Sequence, residues 1–242
     1  MKLFVVSHKN FEMPVQDEIY EALAVGGHVR MEQPHACDCT GDNISALNGR
    51  YNELTGLYWI WKNTAEDIVG ICHYRRYFVT RIGKALNVLR GLQGHFLTEK
   101  QIRSRLKRCD MIVHNPTFFK KSNREQFCEM QKPEYYEAAR VVIHERCPEY
   151  AGDFETVFGR KYAHLLNMMI TRKEVFDSYC EWLFPLLFQI EKRLEAHYPE
   201  VDMKRSMGMI GERLMDVWML HNRVRYRVCF SVNTERVDWR MW

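Results

Sequence analysis

The sequence predicts one α/β domain in which helices flank a mostly parallel sheet. Short apolar runs without alternation, such as Lys2 to Ser7 and Ile68 to Cys72, are typical of strands buried on both faces. Between such runs lie stretches with the three-to-four-residue apolar spacing of amphipathic helices. Strands that alternate with helices in this way indicate an α/β fold.

The composition is typical of a globular protein. The chain has 242 residues, 46% of them hydrophobic, and a formal net charge of +4. That charge permits an anionic partner without requiring one. The apolar part of MKLFVVSHKN is too short for a signal peptide, and no run approaches the ~20 apolar residues of a transmembrane helix. We therefore expect a cytoplasmic protein with reduced thiols.

The first forty residues predict two strands and a helix. Lys2 to Ser7 is the first strand, and Ser7 and His8 stand at its end. Pro14 favours a helix start, so a helix is expected to about Ala24. The pair Gly26-Gly27 would end it. Residues 28–41 predict a short strand and a loop.

The stretch from Asp42 to Phe78 predicts a helix, a turn, a buried strand and a polar cluster. The helix has one apolar face, made of Leu47, Tyr51, Leu54, Tyr58 and Trp61. Its second face carries Asn48 and Asn52. The strand Ile68 to Cys72 follows, and it ends in the polar sequence His73-Tyr74-Arg75-Arg76-Tyr77.

The remaining chain continues the alternation of strands and helices. We expect a mobile loop or lid over residues 79–97 and a helix that opens with the capping box at Thr98. Pro185 should kink or split the helix that begins near Lys173. The other elements expected are strands at Asp110–Val113, His164–Ile170 and Val224–Phe230, the last with a basic outer face, and helices at Pro133–Arg146 and Glu212–His221.

The two arginines after the strand Ile68 to Cys72 suggest an anion site. Ligands of open α/β sheets bind outside the carboxyl ends of the strands. Arg75 and Arg76 there offer forked donors and fixed positive charge, which suit a phosphate or diphosphate. The alternative, that both are surface residues paired with carboxylates, stays open on spacing alone.

The same stretch resembles the signature of a family of bacterial capsular and exopolysaccharide biosynthesis proteins. The family carries Asn-Ile-Ser, then Tyr-x-Glu-Leu-Thr-x-x-Tyr-Trp-x-Trp-Lys-Asn, then His-Tyr-Arg-Arg-Tyr-Phe. All three motifs occur here, at Asn43–Ser45, Tyr51–Asn63 and His73–Phe78. The resemblance continues more weakly from Asn167 to Trp218. It implies a glycosyltransferase-like protein with a GT-A type, Rossmann-like nucleotide-sugar fold.

That resemblance implies a nucleotide-sugar donor, a UDP-sugar of galactose type, bound by the half 1–115. The half 116–242 would bind a lipid-linked or growing capsular, exopolysaccharide or O-antigen acceptor. Candidate nucleotide and diphosphate ligands are Ser7, His8, Asp42, Asn48, Asn52, His73, Tyr74, Arg75 and Arg76. Candidate sugar-binding residues are His164, Asn167 and Arg213.

The catalytic base and several binding residues each have a competing structural role. Glu212 is the first candidate base and Asp153 the second, although a glutamate near a helix start is common for dipole reasons alone. Asp42 could instead cap a helix. The asparagines at 48 and 52 could lie on a solvated face, and a buried His164 could be satisfied by backbone.

No cofactor is firmly expected. GT-A enzymes usually hold Mn²⁺ or Mg²⁺ on an Asp-x-Asp pair, but the corresponding position here holds His73-Tyr74-Arg75. Arginines could replace the cation as the counter-charge of the diphosphate, or His73 could bind a metal with carboxylates from elsewhere. The sequence favours the first, and predicts no metal site. For His35 to Cys39, a loop is favoured over a zinc site because a second cysteine pair is missing.

Two other functions compete with sugar transfer. Mixed basic and aromatic residues could bind a nucleic acid, but the charge is mild and no RNA-binding motif occurs. A nucleotidyl- or phosphotransferase is disfavoured because no P-loop is present.

Peripheral membrane contact at the inner face of the plasma membrane is expected through Arg223–Arg227 and Trp239–Trp242. The oligomeric state is not predicted.

Overall fold

The computed structural model of the protein describes residues 1–15, 17–27, 29–90 and 95–235. Its strands are β1 (Lys2–Ser7), β2 (Tyr20–Ala24), β3 (His35–Cys37), β4 (Ile68–His73), β5 (Arg76–Val79), β6 (Met111–His114), β7 (Thr117–Phe118), β8 (Tyr162–Ala163), β9 (Met169–Arg172) and β10 (Tyr226–Asn233). Its helices are α1 (Asn48–Tyr51), α2 (Leu54–Asn63), α3 (Arg81–Arg90), α4 (Glu99–Leu106), α5 (Asn123–Met130), α6 (Pro133–Arg146), α7 (Ala151–Gly159), α8 (Lys173–His197) and α9 (Ser206–His221).

Eight of these strands form one mixed sheet in the order β3-β2-β1-β4-β5-β10-β6-β9. Strand β9 also pairs with β4, so the second part of the sheet is partly closed. The pairs β1–β2, β2–β3, β1–β4 and β6–β10 are parallel, whereas β5 and β9 run antiparallel to their neighbours. The α/β class is therefore confirmed, but the expected mostly parallel sheet is not.

The hairpin between β4 and β5 explains part of this difference. Only Tyr74 and Arg75 separate the two strands. A parallel connection needs a crossover of a dozen residues or more, so a two-residue link forces an antiparallel return. No separate strand was expected at Arg76–Val79, because the polar residues that end β4 interrupt the apolar pattern there.

Several elements form where the sequence predicts them. Strands β1 and β4 match their apolar runs. Helix α4 begins with the capping box of Thr98 and Gln101, and Pro133 occupies the first turn of α6. Helix α8 contains Pro185 but runs as one element from Lys173 to His197, so the expected split does not occur.

Three expectations about elements are wrong. The residues before Gly26 form strand β2 rather than a helix, because tertiary burial between β1 and β3 outweighs local helix propensity. The expected loop at 79–97 contains helix α3. The expected strand His164–Ile170 is interrupted, because Leu166 and Asn167 adopt positive φ values of 78° and 51° between β8 and β9.

Helix α9 and strand β10 also differ from what the sequence predicts. Helix α9 begins at Ser206, so Glu212 lies in its second turn rather than at its start. In β10, Tyr226 and Val228 are exposed along with Arg227, so the alternation does not separate an inner from an outer face there. The guanidinium of Arg225 is paired with Asp110 at 2.9 Å.

The core fills both faces of the sheet. One apolar cluster joins the sheet to α2 and to helices α6 to α9, and the other packs β1, β5 and β6 against α4. No helix among the described residues is long and apolar enough to cross a bilayer. The sulfurs of Cys37 and Cys39 are joined, which differs from the expectation that all thiols are reduced.

We expect Gly70→Ala to destabilise the protein. Gly70 lies in β4 between β1 and β9, and a Cβ there would stand 2.2 Å from Leu3 Cδ2 and 3.0 Å from Ile170 Cγ1. Overpacking of this kind costs about 1–3 kcal/mol in the free energy of unfolding. Urea unfolding measures the loss.

Gly152→Ala is the matched control. Gly152 lies in helix α7, and an added Cβ meets no heavy atom within 4 Å. Removing a helical glycine should raise the free energy of unfolding by up to about 1 kcal/mol. Equal stability changes in the two variants would contradict the packing described for β4.

Candidate functional site

A cleft of about 510 Å³ opens at the carboxyl ends of β1 and β4. Helix α1 and the break that follows it form one wall, and residues just before and within the first two turns of α9 form another. The lining residues are Val6, Ser7, His8, Val25, Asn48, Gly49, Asn52, Glu53, His73, Tyr74, Arg75, Arg76, Leu166, Lys204, Arg205 and Glu212. The edge of the sheet that the sequence indicated is therefore a concave site.

Strained backbone surrounds this cleft. Among the described non-glycine residues, five have positive φ, and four of them are Asn52, Leu166, Asn167 and Arg205. Three of these four line the cleft, and Asn167 adjoins Leu166. Such conformations are costly and cluster where surrounding structure holds functional groups in place.

The turn at Leu166 and Asn167 connects the walls of the cleft. The carbonyl of Leu166 accepts a hydrogen bond from His73 Nε2 at 2.7 Å, and its N–H donates to Glu212 Oε1 at 2.8 Å. The Asn167 amide nitrogen donates to Glu53 Oε1 at 2.7 Å and to the Gly208 carbonyl at 3.2 Å. Two residues thus hold three separate segments: the end of β4, the break before α2, and α9.

His73 is a neutral donor in this arrangement. Burial, with smaller contributions from the nearby arginines, lowers its pKa to about 4, although the hydrogen bond to the Leu166 carbonyl opposes the shift. A neutral ring that donates through Nε2 to a carbonyl leaves Nδ1 as an acceptor. His73 therefore orients the turn and adds no fixed charge to the cleft.

Two carboxyl groups face the cleft. Burial raises the pKa of Glu212, Arg213 opposes the rise, and the charge of Glu53 adds to it. Burial also raises the pKa of Glu53, and its hydrogen bond from Asn167 acts in the opposite direction. Carboxyl groups with raised pKa values in a cleft are candidates for acid–base catalysis.

Glu53 is a site residue that the sequence reasoning missed. A continuous helix was expected through residues 47–61, which drew attention to the face of Asn48 and Asn52. The chain instead breaks at Asn52, with φ 51° and ψ −127°, before α2 begins at Leu54. This break directs Glu53 toward Asn167. The only sequence signal was its place in the Tyr-x-Glu-Leu-Thr motif.

The cations at the cleft fall into two groups. Arg75 pairs with Glu235 at 3.4 Å, and Lys9 pairs with the same carboxylate at 3.1 Å. Both cations stack on Tyr74. Arg76, Lys204 and Arg205 have no ion-pair partner within the described part of the chain. Lys204 and Arg205 were not predicted as site residues, because the sequence from Arg205 to Gly211 indicated a glycine-containing loop.

Arg76 is the most enclosed of these cations. Burial lowers the pKa of its guanidinium, and the neighbouring charge of Arg75 lowers it further. A partly desolvated guanidinium without a carboxylate suits an anionic ligand. The structure thus separates Arg76, inside the cleft, from Arg75, whose charge is already matched at the rim.

The other predicted nucleotide ligands divide into cleft and non-cleft residues. Ser7, His8, Asn48 and Asn52 line the cleft, and Asn48 bonds the Asn52 carbonyl at 2.8 Å. Asp42 lies outside it. The Asp42 carboxylate accepts from Tyr58 at 3.1 Å, which is a structural role.

The remaining predicted catalytic and sugar-binding residues lie behind or away from the cleft. Asp153 bonds His221 at 2.9 Å on α7 and is not among the cleft residues. His164 is buried and bonds Asp216 at 2.6 Å. Arg213 is buried behind Glu212, which it bonds at 2.7 Å.

The side chains at the end of β4 do not fit a tightly held divalent cation. Among the described residues, no group of three or more histidines, cysteines or carboxylates is arranged to hold a metal. The guanidinium groups of Arg75 and Arg76 stand at this strand end, and Glu212 is engaged with Arg213 and Leu166. Like charges there disfavour a bound cation.

We expect the protein to lose stability as the pH is lowered, and His114, at the end of β6, to contribute to this loss. Burial lowers its pKa to about 4, with contributions from His164 and Arg76, whereas an unfolded histidine titrates near 6.5. The unfolded chain alone therefore gains this proton as the pH drops from about 6.5 to 4. The stability is complete above that window and falls by up to ~3 kcal/mol across it.

The variant His114→Leu should lose less stability than the wild type over the same window, as urea unfolding at several pH values would show. The Nδ1 atom of His114 has no hydrogen-bond partner among the described residues, so the replacement breaks no bond at that atom. His114→Phe controls for side-chain volume. Parallel losses in all three proteins would contradict the assignment.

A solved structure has a fold similar to that of this protein. Among solved structures, the chain is similar to the apo structure of the bifunctional glycosyltransferase WbbM, with a TM-score of 0.78 and 24% identity. The similarity covers 97% of this chain and 45% of that one, so the protein spans less than half of WbbM. It shows a shared fold.

No curated protein matches the sequence. A family model described as "Domain of unknown function (DUF4422)" matches residues 2–223, which is most of the chain. The protein therefore belongs to the DUF4422 family.

Proposed function

We propose that the protein is a glycosyltransferase that moves a sugar from a nucleotide-sugar donor to a saccharide acceptor. The observation that carries this proposal is the cleft itself, where Arg76 faces the same space as Glu212 and Glu53. A cation for a leaving diphosphate and a carboxylate for an incoming hydroxyl are the two groups that such a transfer needs. The fold shared with WbbM, a glycosyltransferase, supports it.

The finer proposal names the substrates and the fold type. A UDP-sugar of galactose type as donor, and a lipid-linked or growing capsular, exopolysaccharide or O-antigen chain as acceptor, follow from the family resemblance of the central motifs. The GT-A type belongs to the same proposal. The site would act at the inner face of the plasma membrane.

In this proposal, Arg76, Lys204 and Arg205 stabilise the charge that develops on the leaving diphosphate. All three line the cleft without a carboxylate partner among the described residues. Charges held in place before the reaction begins can stabilise the leaving group without reorganisation. They take the place of the divalent cation that the donor atoms at β4 do not fit.

Glu212 is the proposed base for the acceptor hydroxyl. Its two hydrogen bonds, from Leu166 and Arg213, fix the carboxyl orientation, and each oxygen keeps a second lone pair for the substrate. Burial raises its pKa toward the working range of a general base. Arg213 and Asn167 then position the two carboxyls rather than bind sugar.

We expect Arg76→Ala to weaken binding of UDP, measured by titration calorimetry. Loss of a charge-assisted hydrogen bond costs about 1.5–3 kcal/mol, or roughly tenfold to a hundredfold in affinity. Arg75→Ala should weaken binding less, because Glu235 already offsets that charge.

Arg108→Ala is the control, since Arg108 is exposed after α4 and outside the cleft. The titrations include a chelator. Unchanged UDP affinity in Arg76→Ala would refute the assignment of the anion site. Binding that requires manganese would refute the proposal that arginines supply the counter-charge.

We expect Glu212→Gln to lower turnover about 10²–10⁴-fold, which is the usual contribution of a general base. The amide keeps the shape of the carboxyl but loses its basicity, while UDP affinity should stay nearly unchanged. Product formation from a nucleotide sugar measures the first quantity and calorimetry the second.

Asp153→Asn is the matched carboxyl control, because Asp153 pairs with His221 outside the cleft. Its turnover should stay near normal. Glu53→Gln tests the neighbouring carboxyl. A large loss in Glu53→Gln with near-normal turnover in Glu212→Gln would transfer the role of base to Glu53.

A further inference from the structure

An exposed aromatic surface lies on the acceptor half of the chain. Phe118 is 76% exposed, Val228 is 46% exposed and Tyr226 is 42% exposed. Tyr162 contacts Phe118 with ring centroids 5.8 Å apart. Large exposed apolar side chains that adjoin one another usually mark an interaction surface. We name these four residues the Phe118 patch.

The fold holds the patch as one surface. Strands β7 and β8 pair Phe118 directly with Tyr162, which places both side chains on the same face. The ring of His164 lies 6.4 Å from Tyr162 and 5.3 Å from Tyr226, so it joins the two tyrosines. Because His164 is itself buried and anchored to Asp216, the patch has a rigid base.

The chain around the patch is basic. Residues 117–124 and 160–162 hold no acidic residue, and their basic residues are Lys120, Lys121, Arg124, Arg160 and Lys161. Backbone hydrogen bonds from Phe119 to Lys161 and from Asn123 to Arg160 make the two segments neighbours. Lys121 pairs with Glu129, but Lys120 and Lys161 have no ion-pair partner within the described ranges.

We propose that the Phe118 patch docks the protein on the surface of an anionic lipid bilayer. Aromatic side chains favour the membrane–water interface, where a ring meets both apolar and polar surroundings. Lysine and arginine beside them can bind lipid phosphates while their stems cover apolar surface. A surface that combines both has the chemistry of a peripheral membrane anchor.

This surface differs from the one expected from sequence. The expected basic stretch Arg223–Arg227 is partly neutralised, since Arg225 pairs with Asp110. The tail from Trp239 to Trp242 lies outside the described residues. The patch instead uses the antiparallel pair of strands β7 and β8. These strands are separated in the chain by 43 residues, which include α5 to α7.

The patch is also connected to the cleft. Strand β8 ends at Ala163, and three residues later Leu166 holds Glu212. If the proposed function is correct, a lipid-linked acceptor would reach the base from this side of the molecule. That last step rests on the proposed function, whereas membrane docking does not.

Vesicle flotation tests the proposal with the full chain. We expect the protein to float with vesicles of phosphatidylcholine mixed with phosphatidylglycerol, to float poorly with phosphatidylcholine alone, and to be released by salt. Phe118→Ser should weaken binding roughly tenfold, because the ring no longer buries its apolar surface. The double variant Lys120→Glu and Lys161→Glu should weaken it at least tenfold.

Two variants away from the patch are the matched controls. Ile82→Ser removes another exposed apolar side chain, 73% exposed on α3, and Lys100→Glu reverses an exposed charge on α4. Both should float like the wild type. Circular dichroism is the check that Phe118→Ser is folded, and the lysine variant provides an independent measurement.

The proposal is overturned if the wild type does not float, if lipid charge makes no difference, or if the controls lose as much binding as the patch variants. It is also overturned if the patch variants float normally, which would assign the surface to another partner. UDP titration of the same variants separates the two ideas: failure of vesicle binding with intact UDP binding refutes only the membrane surface.

Discussion

The cleft depends on the left-handed turn at Leu166 and Asn167. Its four hydrogen bonds reach the end of β4, the break before α2 and two positions on α9. Close packing brings these segments together: a Cβ at Gly208 would stand 2.8 Å from Asn52 Nδ2, and one at Gly211 would stand 2.8 Å from Leu54 Cδ1. Glycine at these positions therefore lets α9 pack closely against the Asn52 and Leu54 side chains, which a Cβ would have to displace. The strained backbone is the cost of aiming both carboxyls into one space.

The same turn creates an electrostatic asymmetry inside the cleft. Glu53 and Glu212 share the side near Asn167 and Arg213, and burial disfavours charge on both. Arg76, Lys204 and Arg205 supply positive charge without a carboxylate partner in the described chain. His73 lies near Arg76 and Glu212 and, being neutral, adds no charge. A ligand with one anionic end and one hydroxyl-bearing end complements this distribution.

Local features of the sequence predict the position of the candidate site, whereas the parts that depend on tertiary contacts could not be predicted. The apolar run of β4 and its polar end were enough to place the arginines at a strand terminus, as the structure has them. No local pattern reports that Asn52 and Asn167 adopt positive φ, so the orientation of Glu53 could not be predicted. The antiparallel entry of β9 between β4 and β6 depends on pairing over about 60 to 100 residues, which periodicity does not encode. Glu212 was chosen partly as the first residue of a helix, but it lies in the second turn of α9.

The carboxylate of Glu235 occupies the cations at the rim of the cleft and so competes with free anions for them. Thr234 continues the pairing of β10 by donating to the Arg75 carbonyl at 2.9 Å, which delivers Glu235 to Lys9 and Arg75. A group attached in this way acts as a tethered competitor with a high effective concentration, on the order of millimolar for a flexible link. We expect free anions at lower concentrations to leave this rim unoccupied, so that only a ligand also held by Arg76 displaces Glu235. Glu235→Gln should therefore raise the affinity for both inorganic phosphate and UDP, and unchanged affinity for both would rule this competition out.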